Sequence, residues 1–179
     1  MGVRWQVFPR WLPPSEGVLS LVQVFEQAQG EIGTPANQKK SNQALAAVAD
    51  GLRTLGFEVE DQPPQGSEER KRKVKVPVLF GENGRAIKTF EVDAWRPGDG
   101  SVVEVEAGTA IDARKLYQDL FEAAVIPDVT MMCVAVMNAY KPARRAKPFD
   151  DFQRAKNILD TLDASQFEFP FSTVLLIGY

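Results

Sequence analysis

Three carboxylates, Asp93, Glu104 and Glu106, fall close together in the stretch Lys88 to Gly108, KTFEVDAWRPGDGSVVEVEAG. Phe90, Val92 and Ala94 alternate with Glu91, Asp93 and Trp95, and Val103 and Val105 alternate with Glu104 and Glu106. That period of two is the one a β-strand imposes. Pro97, Gly98, Asp99 and Gly100 supply a turn between the two arms. If Arg96 faces Ser101, antiparallel pairing sets Asp93 opposite Glu104 with Cβ atoms about 4.5–5.5 Å apart. Glu106 then lies two residues along the same face, roughly 6.5 Å from Glu104. Like charges facing one another destabilise a sheet. The arrangement therefore asks for a compensating cation, and an all-oxygen donor set suits a hard divalent ion, Mg²⁺ or Mn²⁺.

An Asp at the end of one strand, a turn, then Glu-x-Glu flanked by valines on the next strand resembles the PD-(D/E)xK nuclease superfamily. The resemblance implies an α/β (α+β), restriction endonuclease-like fold: a central mixed sheet with an antiparallel meander, a helical crossover to a buried strand, and helices on both faces. It implies that Asp93 and Glu104 bind the metal and that Glu106 stands in the place of the usual Lys, which helps to activate water. Two departures are visible. Residue 92 is Val where the family has Pro, and Glu106 replaces Lys, as in the Glu-x-Glu variant of the motif. The second leaves the general base and the number of metal ions open, with Glu106 either a base or a further metal ligand. The family often adds a Glu from a helix ahead of the sheet. Glu26 and Glu31 are available for that role, but neither spacing is diagnostic and a solvated helix face is the preferred reading of both.

The elements needed to hold these acids can be read along the chain. Trp5, Phe8 and Trp11 mark an N-terminal arm expected to pack over the core. A helix is predicted from Ser15-Glu16 to about Ile32, and a second, capped at Ser41-Asn42, as far as Leu55 and Gly56. Phe57 to Glu60 reads as a short strand. Lys71 to Phe80 is a longer one, with Val74, Val76, Val78 and Phe80 on its inner face. After Gly108, helical spacing runs from Ala113 to Ala124, with Asp112 as a cap, and stops before Pro127. Met131 to Met137 is an apolar run expected to be a strand buried on both faces. Phe149 to Leu162 reads as a helix and Val174 to Tyr179 as a last strand.

Composition sets the outer limits. With 179 residues, 44% of them hydrophobic, the chain is expected to form one domain, 1–179, with a core of its own. A single cysteine and no histidine exclude disulfide frameworks, Cys/His zinc sites and Ser-His-Asp or Cys-His catalysis within one chain. No phosphate-binding glycine loop is present. No apolar stretch approaches membrane-span length and the N-terminus lacks a signal-peptide pattern, so a cytoplasmic protein without a membrane partner is expected. The net charge of −3 removes polybasic binding as a mode, but local positive charge remains. Arg70 to Lys75 and Tyr140 to Lys147 are basic runs, each readable as a solvated edge or as a phosphate-contacting surface.

These observations lead to metal-dependent phosphodiester hydrolysis of nucleic acid, with DNA the expected substrate. Asp93, Glu104 and Glu106 are the expected metal-binding and catalytic residues. Lys73, Lys75, Lys115, Arg144 and Arg145 are the expected nucleic-acid contacts, and Lys115 is also a displaced replacement for the missing motif Lys. Cutting both strands of a duplex implies a homodimer, since one chain holds one set of acids. The competing reading keeps the fold with an inactive site, as a nucleic-acid-binding or protein-interaction module.

Overall fold

The computed structural model describes residues 2–61, 72–108, 114–142 and 147–179. Its centre is β6 (Ser101–Val105), β7 (Met131–Val136) and β8 (Thr173–Gly178), three parallel strands made of apolar runs and buried along their length. A strand covered on both faces has no need of polar alternation. Val103, Val105, Cys133 and Ala135 point to one core, shared with α1 (Glu16–Ile32) and α2 (Ser41–Thr54). Val102, Met132 and Val134 point to the other, shared with α3 (Arg114–Val125) and α4 (Asp151–Ala164). The chain is thus a mixed α/β fold with helices on both faces of a mixed sheet, and α3 is the crossover that two adjacent parallel strands require.

Antiparallel strands flank this centre. β5 (Ala94–Arg96) pairs with β6, β2 (Glu58–Val59) with β5, and β1 (Arg4–Phe8) with β8, so the six-stranded order is β1-β8-β7-β6-β5-β2. The N-terminal stretch is a correction to the expected arm. β1 (Arg4–Phe8) pairs antiparallel with β8 and puts Val7 and Phe8 in the core, leaving Trp11 80% exposed. A second correction concerns the cap of α2: Ser41 is its first helical residue, and the backbone N–H of Lys40 donates to Gln43 Oε1 at 3.0 Å.

The expected meander divides. β3 (Val74–Phe80) and β4 (Ala86–Val92) form a two-stranded sheet of their own, and a bend at Asp93 carries the chain from β4 into β5 of the main sheet. Val74 and Val76 are buried as expected. Phe80 is 54% exposed, because the β3–β4 register shifts beyond Pro77 and the hairpin tip leaves the core. Asp112 and the basic residues Arg70, Lys71, Arg144 and Arg145 lie outside the described residues. Among the described residues no helix is long and apolar enough to cross a membrane.

Candidate metal centre

The β5–β6 hairpin has the register read from its turn: Arg96 pairs with Ser101 and Ala94 with Val103. Gly100 closes the turn at φ 68°, its N–H donating to Arg96 O at 3.0 Å. A Cβ there would sit 1.9 Å from Asp128 O, so the backbone approach tolerates only glycine. Asp99 completes the corner with a salt bridge to Arg96 at 2.5 Å, and the guanidinium holds its carboxyl below the usual range.

From this hairpin Glu104 and Glu106 project toward α3, where they meet Asp119. One carboxylate oxygen from each of Glu104, Glu106 and Asp119 lies within 4.8 Å of the other two. Glu106 follows β6 and is fixed through its backbone. Its N–H donates to Ala135 O at 2.7 Å, and its carbonyl accepts from the Tyr179 hydroxyl at 2.7 Å. Asp119 is 2% exposed, and among the described residues no hydrogen-bond donor reaches its Oδ2. Lys115, one helical turn before it, donates to Asp119 Oδ1 at 2.5 Å and lies 3.5 Å from Glu106 Oε1.

Asp93 borders the same cleft without joining the trio. It occupies the β4–β5 bend, its carbonyl accepts from Glu60 N at 2.8 Å, and its Oδ2 accepts from Val105 N at 2.8 Å. It is near enough to Glu104 to act on its proton affinity. Burial first, then the charges of Asp93 and Asp119, push Glu104 well above the ordinary carboxylate range. Burial, then Asp119, raises Glu106 to about 7 against the opposing Lys115. Burial also raises Asp119, outweighing the ammonium beside it. Lys115 itself is pulled down by burial, but Asp119, Glu106 and Glu104 more than compensate and hold it above its usual value. Three acids and one lysine that perturb one another, with Asp93 acting on two of the acids, mark a place built for charge.

The cleft in front of these groups encloses about 330 Å³ and is lined in part by Glu60, Glu91, Asp93, Glu104, Lys73 and Lys115. Lys73 is engaged inside it, 2.9 Å from Glu91 Oε2 and 3.3 Å from Glu60 Oε2, and the hydrogen bond to Glu91 raises its pKa. Lys75 lies 3.8 Å from Glu91 Oε1 with its side chain 59% exposed. Glu26 and Glu31 on α1 do not belong to the trio: both are exposed, and Glu31 pairs with Lys39 at 2.6 Å. Asp119 and the buried Glu60 were not singled out by sequence reasoning. The available signal for Asp119 was an acid flanking the buried stripe Leu116, Leu120 and Ala123, four residues after Lys115.

No protein-family model matches this chain, and no curated protein is significantly similar to it. Among solved structures, the crystal structure of restriction endonuclease BGLII complexed with a DNA 16-mer aligns with 99% of this chain and 76% of that one, at 12% identity and a TM-score of 0.45. At that level no residue role transfers from one chain to the other.

Proposed function

We propose that this protein is a divalent-cation-dependent nuclease that hydrolyses phosphodiester bonds of nucleic acid, with DNA as the first substrate to test. The observation that carries the reading is the trio Glu104, Glu106 and Asp119, three carboxylates within 4.8 Å of one another, one of whose buried oxygens has no donor among the described residues. Such a group is stable only when protons or a cation relieve the repulsion. Its all-oxygen donor set fits Mg²⁺ or Mn²⁺. Glu104 would be the central ligand, with Glu106 and Asp119 beside it and Asp93 from the cleft wall. When bound, the ion lowers the pKa of water and offsets charge developing on the phosphate.

Each protein group then has a distinct part. Glu106, with a proton affinity near neutrality, accepts the proton of the attacking water if it is not itself occupied as a ligand. Lys115 orients Glu106 and Asp119 and brings a positive charge toward the phosphate, the role assigned to the displaced motif lysine. Lys73 and Lys75, with Arg144 and Arg145, are proposed to neutralise flanking phosphates. A cut in both strands requires two such centres, so a homodimer belongs to the proposal.

The test is cleavage of labelled duplex DNA, single-stranded DNA and RNA in Mn²⁺, with binding measured in parallel in Ca²⁺. The reading predicts Mn²⁺-dependent cleavage of duplex DNA that Glu104→Gln abolishes. Binding without cleavage of any of the three would establish the inactive-module alternative. Neither binding nor cleavage would refute both.

A further inference from the structure

The β3–β4 hairpin has a buried base and a free end. Val74, Val76 and Val92 hold the base in the core, and Thr89, Phe90, Glu91 and Val92 form part of the wall of the acidic cleft. From Leu79 to Lys88 every residue except Gly81 is exposed, among them Leu79, Phe80 and Ile87 at 55%, 54% and 61%. Three large apolar side chains at one end of a ribbon mark an interaction surface. The ribbon is also basic. From Arg72 to Val92 five basic residues stand against Glu82 and Glu91, a net charge of +3 in a chain whose total is −3. The turn closes through its own backbone, the Gly81 N–H donating to Arg85 O at 2.8 Å with Asn83 at φ 57°. The side chains of Glu82, Asn83 and Arg85 have no partner among the described residues and face solvent.

We propose that this hairpin enters the major groove of duplex DNA and reads base edges beside the scissile phosphate, a role that rests on the nuclease reading. The local charge names the partner, since an excess of positive charge around an apolar end suits a polyanion. The end also carries the residue types that match base edges. Arg pairs with the guanine edge, Asn with adenine, Glu accepts from the cytosine amino group, and apolar side chains meet the thymine methyl. Dimensions select the groove. Two strands about 4.8 Å apart, with their side chains, fit a major groove about 12 Å wide and not a minor groove of about 6 Å. Ile87 lies five residues before Val92, roughly 17 Å along β4, so a phosphate held in the cleft leaves the adjoining groove within reach of the end. Strand addition by a second copy is disfavoured. Pro77 removes a backbone donor, register shifts on both sides of Leu79 break the ladder, and two basic ribbons repel.

Selection of bound duplexes from a random-sequence DNA pool, followed by gel shifts, both with the full chain in Ca²⁺, tests the assignment. Wild type should enrich a short sequence motif. Asn83→Ala with Arg85→Ala should lower affinity for an enriched duplex by roughly tenfold to hundredfold and erase the motif, while unselected duplex stays within about threefold of wild type. Lys88→Gln should instead weaken all duplexes alike and reduce the slope of the salt dependence by about 1. Duplex RNA, whose major groove is too deep and narrow to admit the ribbon, should not distinguish wild type from the Asn83 and Arg85 variant. All these positions are exposed and outside the acidic trio, so each variant should keep whatever stabilisation Mn²⁺ confers on wild type. Duplex binding that enriches no motif, or a motif that the double variant keeps, would overturn the hairpin assignment and leave the nuclease reading standing. Absence of duplex binding by wild type would overturn both. Loss of binding to phosphatidylserine-containing vesicles by Phe80→Ser with Ile87→Ser, with DNA affinity unchanged, would assign the end to a membrane surface and overturn the proposal equally.

Discussion

The acidic cleft between β4, β6 and α3 and the cavity between β1 and α4 differ in the property that locates chemistry. The cavity is the larger, about 570 Å³ against 330 Å³, and its lining sets the aromatic residues Phe8, Trp11, Phe167, Phe169 and Phe171 beside polar ones such as Asp163 and Gln166. The rings there serve one another: Phe167 meets Phe169 edge to face and Phe169 stacks on Phe171, each at 4.9 Å. At the cleft, Glu104 and Lys115 and the adjoining Glu106 and Asp119 all have displaced proton affinities: burial drives the three acids up, and the acids hold the lysine up against its own burial. Volume measures room. Convergent, partly dehydrated charge measures what a site can do with an ion or a proton.

The largest effect should come from removing the centre of the cleft. Glu104→Gln together with Asp119→Asn should lower Mn²⁺-dependent cleavage by roughly two to three orders of magnitude, the cost of losing a main electrostatic stabiliser. Without metal, above neutrality, the same variant should melt no lower than wild type, since it relieves buried like charges. A lower melting temperature in the metal-free variant would mean that the acids are structural.

The pH dependence of the metal-free protein comes next. Glu106 titrates at about 7 in the folded state and near 4.5 when unperturbed. Below 4.5 both states hold the proton and no difference arises. Between 4.5 and 7 the unfolded chain releases a proton that the folded chain keeps, so stability falls as pH rises through this window, by about 3 kcal/mol for Glu106 alone. Denaturant titrations across it should show the fall, and Glu106→Gln should remove its share, leaving the fall that the raised Glu104 and Asp119 contribute with the same sign. A smaller change is expected of Tyr179→Phe, which removes the hydroxyl donor to Glu106 O and should cost about 1 kcal/mol in the same titrations. The smallest belongs to the other region. Trp11→Ala opens the aromatic cavity and should leave the initial rate of Mn²⁺-dependent cleavage within the error of wild type. A clear loss of rate would give the cavity a part in the reaction.

Much of the site could be read before the fold was known, because its determinants are local. The Pro97 to Gly100 turn defines the Arg96–Ser101 register, and a period of two puts Glu104 and Glu106 on one side of β6. The apolar run at Met131 announces a buried strand, and Pro127 the end of α3. What escaped was decided between distant segments. Period two identifies β3 and β4 as strands but cannot say that a bend at Asp93 detaches them from the main sheet. Nothing local in Arg4–Phe8 indicates pairing with Thr173–Gly178 across almost the whole chain. Asp119 looks like the partner of Lys115 on an amphipathic helix. Only the packing of α3 against the sheet carries it to Glu104 and Glu106.

A divalent ion centred on Glu104 is the core of the proposed function. Anomalous diffraction from a Mn²⁺-soaked crystal tests that most directly. A single dominant peak within coordination distance of Glu104 and of at least one of Glu106, Asp119 and Asp93 is the predicted result. Clear density for ordered, mutually hydrogen-bonded carboxylates at that position, with the manganese peaks on exposed acids elsewhere, would contradict it.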